Sequence, residues 1–200
     1  MSAWGMTDGV GDNTGANLGH GENSTGIPRR NAMAIASIGA RLTAGLSDAL
    51  LLSRQLHQGL AGCRRHLQGS ARREFVEPIM CELQVLAQEV LIGLHGVVGL
   101  AGLVAAASSI GLGDDPGLEL LDIALRLATD SAAAAASASA AATHALSYKP
   151  ATGSCEATTM CDRFLRTACV ESATVVDQLE SAIAAASAMM SGRPRLRLAQ

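Results

Sequence analysis

The chain reads as an all-α protein, an up-and-down four-helix bundle with a disordered Gly/Asn/Ser-rich N-terminal leader, and three observations predict it. Only four of its 200 residues are aromatic (Trp4, Phe75, Tyr148 and Phe164), while 48% are hydrophobic and Ala, Leu and Gly abound. A sheet of that composition lacks the β-branched and aromatic side chains that fill its faces, whereas Ala and Leu are the strongest helix formers. Apolar residues recur at helical spacing through four long segments, and Gly, Pro and capping residues fall between them. Four helices of roughly 30 residues, each about 45 Å long, fit this length and bury one thin aliphatic seam.

Residues 1–28 contain seven glycines among Asn, Ser, Thr and Asp without an apolar period, which is the composition of a disordered leader. Gly21 and Gly26 have the glycine spacing of a phosphate loop, but Ile27 and Pro28 stand where Lys and Ser or Thr are required. The bundle proper is expected over 29–191. Its first helix runs from about Arg30 to Gln68 on a seven-residue row (Ile35, Leu42, Ala49, Leu56, Cys63), and Gly69 can close it in the left-handed conformation. A second helix, from Ser70 or Glu77 to about Gly111, carries the row Val76, Leu83, Val90, Val97 and Val104, with Pro78 at its start or at a kink. Gly113-Asp-Asp-Pro116 supplies a turn glycine, an N-cap acid and a proline at the first helical position, so a third helix begins there and reaches about Ser147. A fourth spans about Thr158 to Ser191 on coiled-coil-like heptads interrupted only by Ser172. Residues 192–200 form a flexible basic tail.

Two segments stand out. Val90–Leu112 contains 23 uncharged residues with Gly93, Gly96, Gly99 and Gly102 at every third position, and ten of the fifteen residues from Ser131 to Ala145 are alanine. Folding the chain back at Gly113–Pro116 brings the glycines opposite Ser131, Ala134 and Ser137, so Gly93, Gly96, Gly99, Gly102, Ala134 and Ser137 are the expected close helix–helix contact. His95 then needs a core partner, for which Ser137 or Ser139 is in reach. The same segment is long enough to span a bilayer, and small residues are common where membrane helices pack. Its strongly apolar residues are few, however, and no Lys, Arg, Trp or Tyr flanks it.

Chemistry-bearing motifs are sparse. No Glu-x-x-His pair, Gly-x-Ser-x-Gly elbow or His-Glu-x-x-His appears, so no catalytic or cofactor site is expected. Cys63 and His66 lack the paired spacings of a zinc site, and the core row explains Cys63. Cys155, ahead of the last helix, is the candidate reactive thiol. Arg64, Arg65, Arg72 and Arg73 around the first turn are candidate anion contacts, although without aromatic interleaving they do not make a nucleic-acid interface. A net charge of −3 gives no global pull toward nucleic acid or anionic lipid. Five irregularly spaced cysteines and an N-terminus without basic or apolar signal regions lead us to expect reduced thiols and a cytoplasmic location. The functional expectation is a non-enzymatic interaction or structural protein acting through its surfaces on a protein partner or a second copy. The alternative is a membrane-active protein that inserts a Gly/Ala-rich hairpin over about 90–145, membrane-associated through 90–112.

Overall fold

The computed structural model describes residues 26–69, 76–107, 116–148 and 154–191, all of them helical or flanking a helix end. Five helices follow in order: α1 Gly26–Gln68, α2 Val76–Val98, α3 Ala101–Ala107, α4 Pro116–Ser147 and α5 Cys155–Met190. The long ones form a ring in which α1 packs on α2 and α5, and α4 packs on α2 and α5, while α1 and α4 barely meet across the centre. Side-chain contacts fix the directions. Arg54 meets Glu180 and Arg64 meets Asp162, so α1 and α5 run antiparallel. Leu83 lies against Gly59 and Val97 against Gly45, so α1 and α2 do as well. The arrangement is the expected up-and-down bundle.

Its core is a set of heptad rows. On α1 the buried residues alternate in steps of three and four: Ile35, Gly39, Leu42, Leu46, Ala49, Ser53, Leu56, Leu60, Cys63 and Leu67. Two such rows keep the same face toward a neighbour over the whole helix, as in a coiled coil. On α2 the rows are Val76, Met80, Leu83, Ala87, Val90, Leu94 and Val97, and on α5 Cys161, Leu165, Ala168, Ser172, Val175, Leu179, Ala182 and Ala186. Beyond Leu118, Leu121 and Leu125, α4 buries only alanines and one serine, among them Ala128, Ser131, Ala135, Ala138, Ala142 and Ala145. Three serines enter the core, and each satisfies its hydroxyl on its own helix: Ser53 donates to the Ala49 carbonyl at 2.7 Å, Ser131 to Leu127 at 2.7 Å and Ser172 to Cys169 at 3.0 Å.

Helix boundaries depart from the sequence reading in three places. α1 begins at Gly26, inside the segment assigned to the leader; residues 1–25 and 192–200 lie outside the described residues, as do Asp114 and Asp115. α5 begins at Cys155 rather than Thr158, because Ser154 adopts extended φ/ψ (−70°, 126°) and accepts the Ala157 amide on its side chain. That is an N-cap, and it sets the first turn three residues early. The expected second helix is two: at Gly99–Leu100 the ladder tightens, with the Leu100 amide on Val97 O at 3.0 Å instead of four residues back. Consecutive glycines at 96 and 99 weaken the helix where this shorter bond replaces the regular one. Val104 is nevertheless buried, in phase with Val97 and Val90.

Candidate interaction surface

The glycines of α2 and α3 do not face α4. A side chain built at Gly93, Gly96 or Gly102 would meet nothing within 4 Å, and at Gly99 only carbonyls of its own helix. This corrects the expected contact, and helix geometry gives the reason. Three residues turn the chain about 60° short of a full rotation, so a row spaced by three winds around the helix and cannot stay against one straight neighbour. What α2 turns inward is the heptad row ending in Leu94 and Val97, and what it turns outward is Val85, Ile92, Gly96 and Gly99, continued in α3 by Leu103. Val85 is 57% exposed, Ile92 73% and Leu103 44%. These values are far above those of the facing core residues, so large apolar side chains here flank bare backbone in solvent. Glu89 is the one charged residue along this line, and Gly93 and Gly102 form its two shoulders.

His95 is exposed as well. Its Nδ1 bonds the Leu91 carbonyl at 2.7 Å, one turn back, so it needs neither Ser137 nor Ser139 as a core partner. α4 instead makes its most extensive contact with α5, and the His144–Phe164 stack sets the register, so the alanine run faces the N-terminal half of α5, whose buried row there is Cys161, Leu165, Ala168, Ser172 and Val175. Ala134 is buried, whereas Ser137 is exposed.

Of the arginines proposed to hold an anion, Arg72 and Arg73 lie outside the described residues. Arg64 is engaged: its Nε donates to Asp162 Oδ1 at 3.0 Å, Gln68 donates to the same oxygen at 3.3 Å, and Arg166 reaches Oδ2 at 3.2 Å. Burial pushes the Asp162 carboxyl up, but the Arg64 hydrogen bond and charge, with Gln68 and Arg166, outweigh it and hold the group below its ordinary 3.8. Arg64 therefore ties α1 to α5 in an interhelical ion pair and does not await a ligand, while Arg65 stands exposed.

Cys63 and Cys161 are buried in adjacent helices, and each precedes one member of that ion pair. Desolvation pushes the Cys63 thiol up to about 12, with the nearby Cys161 and Cys169 thiols adding to it, and Cys161 up to about 11. Such thiols are packing groups at neutral pH. Cys155 and Cys81 are exposed. Cys155 stands at the first position of α5, inside the helix. Sequence spacing could not reveal a pairing across 115 residues: His57 Nδ1 lies 3.0 Å from the Ser172 hydroxyl. Because Ser172 already donates to Cys169 O, it accepts from His57. This bond therefore completes a buried serine and does not activate a nucleophile. Among the described residues no group of three or more His, Cys, Asp or Glu converges as a metal site would.

Helices Met33–Gln68 and Val76–Ala106 are long and apolar enough to cross a membrane, and only 22% of the most apolar window of the second is buried in the bundle. No protein-family profile matches this chain, and searches of curated proteins and of solved structures return no match.

Proposed function

We propose that the chain is a non-enzymatic docking module of the cytoplasm, whose working surface is the outward stripe of α2 and α3 and whose ligand is a helix of a protein partner or of a second copy. The observation that carries this reading is the stripe itself: Ile92 and Leu103 exposed on either side of Gly96 and Gly99, on the side of α2 opposite Leu94. A helix can lay a large side chain into the notch that absent side chains leave, and the flanking Ile and Leu bury against it. Isolated exposed leucines need no explanation, but an aligned row with a single charge does.

A photoreactive amino acid placed at Gly96 in the source cells is expected to give a discrete adduct that Ile92→Asp abolishes. Adducts indistinguishable from those at Gln58, on the exposed side of α1, would sink the reading. Sedimentation equilibrium separates the two occupants, since self-association makes the mass concentration-dependent and Leu103→Asp reverts it to monomer.

The second reading, a membrane-active hairpin, draws support from the largely unburied apolar window of Val76–Ala106. Glycine argues against it, because backbone without side chains adds little apolar area for lipid while suiting a close helix contact. A hairpin over 90–145 would also carry the Asp122–Arg126 ion pair, 2.5 Å apart, into hydrocarbon. Flotation with phosphatidylcholine vesicles tests this reading: it requires the protein to rise with the lipid.

A further inference from the structure

Between the C-terminal half of α4 and the N-terminal half of α5 lies an open cleft of about 410 Å³, lined by Ser137, Ala140, Ala141, His144, Arg163, Phe164 and Thr167. It exists because Ala140 and Ala141 leave only methyl groups at the middle of the α4 wall while α5 brings the long side chains of Arg163 and Phe164 to the other. At its end two of the chain's few aromatic rings gather with an imidazole. His144 stacks on Phe164 with centroids 5.2 Å apart and planes 25° apart, and Tyr148 stacks on the same ring at 5.7 Å and 18°.

The charges are unbalanced. Arg54, Arg64, Arg126 and Arg166 each hold a carboxylate, but among the described residues Arg163 forms no ion pair, and no Asp or Glu lines the cleft. Another open cleft, between α3 and α4, contains both Asp122 and Arg126, already paired. Thr167 donates to the Arg163 carbonyl at 3.3 Å, whereas the exposed Ser137 hydroxyl makes no bond to the described residues and is available as a donor. The α4–α5 cleft therefore offers an unopposed guanidinium and a hydroxyl above a floor of methyl groups that ends in a ring stack.

We propose that this cleft binds a small carboxylate attached to a flat apolar ring. The guanidinium and the Ser137 hydroxyl take the carboxylate oxygens, and the ring lies on Ala140 and Ala141 against His144 and Phe164. One cation matches one negative charge. A phosphate dianion would leave charge uncompensated and could not use the apolar floor. The inference does not rest on the α2–α3 stripe, and either can fail alone.

Titrating the full-length chain with benzoate while recording amide and methyl NMR spectra tests it. The expected result is saturable shifts confined to the cleft lining, Ser137, Ala140, His144, Arg163 and Phe164 among them, with acetate (charge without ring) and benzyl alcohol (ring without charge) each binding at least about tenfold more weakly. Arg163→Gln, at an exposed position, is expected to weaken benzoate about tenfold, and Ala140→Leu, which fills the cleft from its open side, to abolish the shifts, both with an unchanged helical spectrum. Shifts that never saturate or that spread over the surface overturn the proposal. So do shifts indifferent to Arg163→Gln, and inorganic phosphate binding as tightly as benzoate.

Discussion

A methyl group added at Gly45 would lie 2.8 Å from Val97 Cγ2, and valine has little χ1 freedom with which to retreat. At Gly62 and Gly96 the same methyl would meet nothing. Gly45→Ala is therefore expected to destabilise the fold by roughly 1 kcal/mol, overpacking outweighing the gain in helix propensity. Gly96→Ala should stabilise it by about 0.5–1 kcal/mol while blunting the proposed docking notch; urea denaturation of the two variants measures both signs. The thiols give a pH prediction. A group whose pKa is higher in the folded than in the unfolded chain contributes stability that is intact below its ordinary value and is lost as pH rises toward the folded value. For Cys63 and Cys161 that window opens near 9.0 and extends to about 11–12. The urea midpoint should fall across it, and Cys63→Ala should flatten that slope whatever it does at neutral pH. At this scale the sequence was a partial guide: Cys63 could be placed in the core from its heptad row, but nothing local to Arg64 foretold Asp162, or to His57 foretold Ser172.

The periodicity of α1 and α2 placed their seven-step buried rows because Leu, Val and Ile alternate there with polar residues, whereas on α5 Ser172, read as an interruption, lies buried on the row and Met190 is exposed. Beyond Glu89 no polar face remains to mark the phase, and in the alanine run large and small positions no longer differ. Both faces were therefore open to misassignment, and the glycine row was assigned to the wrong side. The continuing seven-step row from Val76 to Val104 held the information that would have placed it. The α4–α5 contact is thus expected to be sensitive to overpacking, as the α1–α2 contact is at Gly45. Ala135→Leu, at a position 1% exposed, should cost about 1–3 kcal/mol or more, whereas Leu at Gly96 should leave the bundle's stability within about 0.5 kcal/mol; thermal melts followed by circular dichroism compare the two.

At the scale of the whole bundle, the fully buried Leu42, Leu46, Leu56, Leu60 and Leu67 of α1 contribute far more apolar area than the alanines of α4. Leu46→Ala should cost about 3 kcal/mol, a large part of the total stability of a domain this size, and should lower the urea midpoint in a single transition. The class of fold was readable from composition and punctuation because a chain so poor in aromatics and rich in Ala and Leu has few ways to build a core. Function was not readable, since the surface features that carry the proposals, an outward stripe and a cleft beside Arg163, depend on which helices become neighbours. One further property follows from the ring cluster at the end of α4. A helix that buries little but methyl groups from Ala128 to Ala145 offers few side chains of its own to fix its lengthwise position. Phe164, engaged at once by His144 and Tyr148, acts as the detent that sets how far along α5 the alanine helix comes to rest.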